Sequence, residues 1–258
     1  MFDSKATLAL LLSLFAGLST LLGTLIVFFI KDKNEKIITF ALAFAAGVMI
    51  SISFTDLLPG AQASLVVGFG KTWGVISSVL FLIMGILTAA AIDLFVPHRE
   101  FDPETEEKPH HDLFRVGFVS MLAMALHNFP EGIATFMAGY NDLSLGISIS
   151  LAIALHNIPE GISVAMPIYY ATGSKKKAIL FTFWSGIAEP LGALLAFLVL
   201  RPYINDVVLG ASFALVAGIM LYISFEELLP SSRSYGHQRL ALVATFVGIC
   251  IMPLSHIF

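Results

Sequence analysis

The sequence predicts an all-α polytopic membrane protein. It should form eight transmembrane helices related by an inverted repeat, a single transmembrane domain over 1–258 with a cytoplasmic loop near 97–112. Three observations carry that expectation. Of the 258 residues, 57% are hydrophobic and only 12% charged, with a mean hydropathy of +0.89. A soluble domain averages about 45–50% apolar and about 25% charged. Eight apolar segments can be marked, at 5–30, 37–58, 72–96, 113–139, 143–171, 175–200, 206–229 and 236–257, each near the ~20 residues needed to cross hydrocarbon. Finally, two pairs of near-identical stretches recur in segments that would run in opposite directions.

Taken in order, the first segment follows Lys5 and stays apolar from Thr7 to Ile30 without a convincing cleavage site, so it reads as a membrane helix and not a signal peptide. Backbone groups in lipid must be satisfied internally, which makes every segment a helix. The second segment carries the stretch Ala46 to Pro59 (AGVMISISFTDLLP), and the seventh repeats it from Ala217 to Pro230 (AGIMLYISFEELLP). The third segment leads into the loop from Pro97 to Asp112. The fourth and fifth are a second matched pair, His127-Asn128-Phe129-Pro130-Glu131-Gly132 and His156-Asn157-Ile158-Pro159-Glu160-Gly161. The sixth contains Ser185 and Glu189-Pro190, and the eighth closes the chain.

Both matched pairs lie on antiparallel segments. Segments 1–3 therefore relate to 6–8, with 4 and 5 exchanging about a pseudo-twofold axis, and proteins built this way hold their substrate near the midplane. The Lys and Arg distribution sets the orientation. With both termini outside, Lys31, Lys33, Lys36, Arg99, Lys108, Arg115, Lys175, Lys176, Lys177, Arg233 and Arg239 fall inside, and only Lys5, Lys71 and Arg201 outside. The net charge of −4 points to no partner, and no basic block suggests nucleic acid. The one cysteine, Cys250, excludes a disulfide framework or a thiolate cluster.

An ionised side chain at the bilayer centre costs about 2.5–3.5 kcal/mol on insertion scales. Finding His and Glu there twice in one order calls for a compensating partner, and a cation is the natural one. Residues at i and i+4 lie about 40° apart on a helix, so His127, Asn128 and Glu131 share one stripe, as do His156, Asn157 and Glu160. Pro130 and Pro159 each remove a backbone donor, and Gly132 and Gly161 let neighbouring helices approach. The pooled imidazole, amide and carboxylate donors suit Zn²⁺, Fe²⁺, Mn²⁺ or Co²⁺ and disfavour Cu⁺, Mg²⁺ and Ca²⁺. One site is expected on His127, Glu131, His156 and Glu160, and a second on Asn128, Asn157, Glu131, Glu160 and Glu189. Asp56 should end the second helix at the outer face, and Glu226 and Glu227 the seventh at the inner face, as acidic steps at two mouths. His98, His110 and His111 are candidates for loop contacts with departing metal. Met49, Met220 and Cys250 read as packing residues.

The doubled His-Asn-x-Pro-Glu-Gly motif, the Ser-x-x-x-Glu-Pro of the sixth segment, the eight segments and the histidine-bearing loop resemble the ZIP family of divalent-metal transporters, over the whole chain. That resemblance implies a multi-pass protein of the bacterial inner (plasma) membrane that imports zinc, and in some members iron, manganese or cobalt, with cadmium a further candidate. It also implies metal binding by Asn128, Glu131, His156, Asn157, Glu160 and Glu189 at a binuclear midplane centre. The metal is then transported substrate, with no catalytic cofactor. Divalent cations and the lipid bilayer are the expected partners, and a homodimer is compatible with this. An intramembrane metalloenzyme, a protease or lipid hydrolase, is the main alternative. Asn where a zinc protease carries its general base argues against it. A proton-coupled carrier of organic solutes would leave the His/Asn pairing unexplained.

Overall fold

A computed structural model describes residues 4–29, 35–95, 113–200 and 205–257. These form eight helices: α1 (Ser4–Phe28), α2 (Glu35–Phe69), α3 (Lys71–Phe95), α4 (Leu113–Asn141), α5 (Leu143–Thr172), α6 (Lys175–Val199), α7 (Asp206–Arg233) and α8 (Gln238–Ile251). There is no strand among the described residues. The first seven helices are each long and apolar enough to cross a bilayer, whereas the eighth, apolar over Gln238–Leu254, falls short of that length. It tightens into a 3₁₀ turn at Met252–Ile257, where Pro253 has no N–H to continue the α-helical ladder. Gly70 and Gly173 adopt positive φ of 75° and 67°, open to glycine at little cost, which lets α2 turn directly into α3 and α5 into α6.

The second and seventh helices differ from expectation. Neither stops at its Leu-Leu-Pro. α2 runs on to Phe69 and α7 to Arg233, because each widens into a π turn, at Ser53–Leu57 and Ile223–Leu228. The proline then falls in the first turn of the resumed α-helix, where its missing donor is tolerated. The two π turns match in detail. Ser53 Oγ donates to the Met49 carbonyl and Ser224 Oγ to that of Met220, both at 2.8 Å.

Packing follows the repeat. α1 lies along α5 as α6 lies along α4, and α8 along α2 as α3 along α7. Paired glycines make each crossing close. An added Cβ at Gly161 or Gly23 would run into the backbone of Thr20 or Ile158, and at Gly132 or Gly192 into that of Glu189 or Phe129. Gly47 and Gly248 meet across α2/α8 as Gly218 and Gly85 do across α7/α3. In lipid, helices associate by such close packing more than by apolar burial. The burial pattern agrees. Leu80, Leu87 and Leu94 of α3 and Trp184 of α6 face outward, while His127, Asn128, Glu131, Asn157, Glu160 and Glu189 are buried.

Candidate metal centre

α4 and α5 run unbroken through Pro130 and Pro159 and cross side by side at their motifs, so each histidine reaches the other helix's glutamate. His127 Nε2 lies 3.1 Å from Glu160 Oε1 and 3.4 Å from Glu131 Oε1. His156 Nε2 lies 3.2 Å from Glu131 Oε1 and 3.4 Å from its Oε2. The rings stand 6.3 Å apart, and His127, His156 and Glu160 each offer a ligand atom within 4.8 Å of the others. Despite this proximity, neither His127 nitrogen nor either Glu160 oxygen makes a directed hydrogen bond among the described residues. His156 and Glu131 hydrogen-bond each other, so the donor and acceptor atoms left over in this group are those of His127 and Glu160.

The second half of the cluster is built by α1 and α6. Asn157 Nδ2 donates to the Ala16 carbonyl at 2.8 Å and to Glu189 Oε2 at 3.0 Å. Asn128 Nδ2 donates to the Ser185 carbonyl at 3.0 Å. Ala16 and Ser185 precede Gly17 and Gly186, which meet at the α1–α6 crossing, so the two carbonyls hold matching places in the repeat. Fixing each amide nitrogen also fixes the direction of its oxygen. Asn128 Oδ1, Asn157 Oδ1 and Glu189 Oε1 are buried with no hydrogen-bonding partner among the described residues. An unmade hydrogen bond on a buried polar atom costs about 1–3 kcal/mol, and here three oxygens go without one. Glu189 is placed by the break in α6, which stops at Gly186, turns at Ile187 and resumes at Ala188. Seven side chains thus supply imidazole nitrogen and amide and carboxylate oxygen, a donor set suited to borderline divalent metals.

The family model described as ZIP Zinc transporter matches residues 98–255. A protein named Zinc transporter ZupT from Oceanobacillus iheyensis is 46% identical, over 96% of this chain and 96% of its own. Proteins of the same name from Chlorobium chlorochromatii and Streptococcus mutans are 45% and 47% identical, again over 96% of each chain. The chain belongs to the ZIP family.

In this ZIP chain the acidic steps sit elsewhere than the sequence suggested. Asp56 does not end α2. It lies in the π turn, thirteen residues or about 20 Å short of the C-terminal end, and its Oδ2 accepts from Thr55 Oγ1. A cavity of 240 Å³ is lined by Asp56 together with Glu131 and His156. Those two site residues keep 4% and 7% exposure, while His127, Glu160 and Glu189 have none. The Asp56 side is therefore the accessible edge of the cluster.

Glu226 and Glu227 likewise lie within the π turn of α7 and not at its end, and they part company. Glu226 is exposed. Glu227 is buried and accepts from Arg115 Nη1 at 2.9 Å. Arg115 also pairs with Asp93 Oδ1, and Tyr222 OH donates to Asp93 Oδ2 at 3.2 Å, tying α3, α4 and α7 together. Sequence reasoning missed this tie: Arg115 entered only as an orientation marker, and Asp93 not at all. A charge near each of two helix ends was the available signal. Met49 and Met220 are fully buried in the apolar core, whereas Cys250 is exposed. His98, His110 and His111 lie outside the described residues.

Proposed function

We propose that this ZIP protein imports divalent transition-metal cations, zinc first, into the cytoplasm through the α4–α5 centre. The observation that supports it is the reciprocal pairing of His127 with Glu160 and His156 with Glu131, beside buried oxygens that have no hydrogen-bonding partner among the described residues. The relatives' name, zinc transporter, supports the choice of metal.

One ion would be held by His127, Glu131, His156 and Glu160. A second would take Asn128, Asn157 and Glu189, with Glu131 and Glu160 bridging. The histidines ligate as neutral rings, so Glu131, Glu160 and Glu189 provide three negative charges. One dication leaves the centre at −1 and two leave it at +1, both far cheaper in a low-dielectric bundle than bare carboxylates.

The Lys and Arg asymmetry puts both termini outside. The carboxyl end of α3 and the amino end of α4 then face inward, so the Arg115, Asp93 and Glu227 tie closes the inner side while Asp56 faces the outside. An inside-negative potential favours inward movement by about 2.3 kcal/mol per charge per 100 mV, doubled for a dication. A metalloenzyme is disfavoured, since Asn stands where a general base would be needed and the relatives are named transporters.

Zinc flux into dye-loaded proteoliposomes tests this. Glu131→Gln and Glu160→Gln should abolish uptake while the purified variants remain folded. Normal uptake by both would remove these residues from the pathway.

A further inference from the structure

The cavity that joins Asp56 to the metal centre has one more donor in its wall. Its polar side chains are those of Asp56, Glu131 and His156, and most of the other lining residues are hydrocarbon, including Ile52, Ile149 and Phe213. The exception is Met252, the one sulfur-bearing residue among the described residues that line it. Met252 begins the 3₁₀ turn that ends α8, is 7% exposed, and is held where that turn rests against α2 and α5.

We propose that Met252 is a specificity-determining residue, and that its thioether and the Asp56 carboxylate form a first, transient station favouring softer dications such as cadmium and zinc over manganese. This rests on the transport reading above. A dication entering the cavity must exchange water for protein donors, and the volume leaves room for an ion still carrying part of its shell. Asp56 attracts any dication by charge. The thioether is neutral and polarisable, so it adds a bond only for cations soft enough to accept sulfur.

The centre beyond has imidazole nitrogen and oxygen donors alone, which suit borderline dications as a class and include no sulfur. Sulfur in the cavity wall can therefore sort ions that the inner ligands treat more alike. A purely structural Met252 would fill the same wall with no consequence for the choice of ion. Leucine keeps most of the volume and no sulfur, and glutamine keeps the reach with a hard amide oxygen in place of sulfur.

The test is the ratio of cadmium to manganese uptake, each measured alone at limiting concentration in proteoliposomes of full-length protein. Met252→Leu should lower that ratio by about tenfold or more, the scale of a one-group difference in a pocket, chiefly through cadmium. Met252→Gln should lower it further by raising manganese uptake. Should Met252→Leu not fold, Met252→Gln alone decides. An unchanged ratio in a folded variant overturns the role of Met252 and leaves the transport reading intact. Failure of the parent protein to move either ion overturns both.

Discussion

Gly132→Ala places a single methyl group at the α4–α6 crossing, beside the residue that supplies the third carboxylate. The new Cβ would stand 2.6 Å from the Glu189 carbonyl carbon and 3.0 Å from its Cα, and would press on the carbonyl oxygen. Ordinary contact begins at 3.4 Å and the carbonyl oxygen lies closer than its carbon, so α6 must retreat by more than about 0.8 Å at Glu189 itself, or α4 must carry Glu131 away by as much. Overpacking of this kind costs about 1–3 kcal/mol of stability. Its effect on function is felt as a rate, since a displacement of about 1 Å in a geometric site is worth on the order of 100-fold. Zinc uptake in proteoliposomes should fall by that order, with a lowered but cooperative thermal transition in detergent. Gly60→Ala is the control: its Cβ would meet only Phe213 Cδ2, at 3.7 Å, and uptake should not change. Parent-like uptake and stability for Gly132→Ala would refute the claim that backbone contact at this crossing sets the position of the carboxylates.

Asn157→Leu removes one oriented oxygen and the hydrogen bond to Glu189. Zinc bound per chain, measured by metal analysis after gel filtration, should drop by one of the pair while the ion on the two histidines remains. Arg115→Met leaves Asp93 and Glu227 buried without their cation, and should lower stability by about 3–5 kcal/mol. Adding Asp93→Asn and Glu227→Gln should restore much of the loss, as thermal unfolding of the single and triple variants will show.

The clustering of the two motifs was legible in the sequence because ionisable residues in a long apolar run are rare, and here they came twice in one order. The helix count was legible for a related reason: each span must satisfy its own backbone, so hydropathy alone marks it. The lengths of α2 and α7 were not. Pro59 and Pro230 carry the usual signature of a helix end, and nothing local announces that a π turn just before them lets the helix continue. Misplacing that end also misplaced Asp56, which lies deep along α2 and lines the centre's own cavity. The Arg115 tie was hidden because charges at helix ends are cheap near headgroups and need no special partner. Met252 was hidden because a methionine in an apolar stretch looks like packing until the wall it lines is known.

The most direct measurement is equilibrium dialysis of the purified protein against zinc-65, comparing the parent with a His127→Ala/His156→Ala variant. The parent should bind a pair of zinc ions per chain, and the variant should lose at least the ion shared by the two histidines while Asn128, Asn157 and Glu189 stay in place. Equal zinc content and affinity in the two proteins would contradict the account, since the histidine–glutamate pairing would then have no metal to hold.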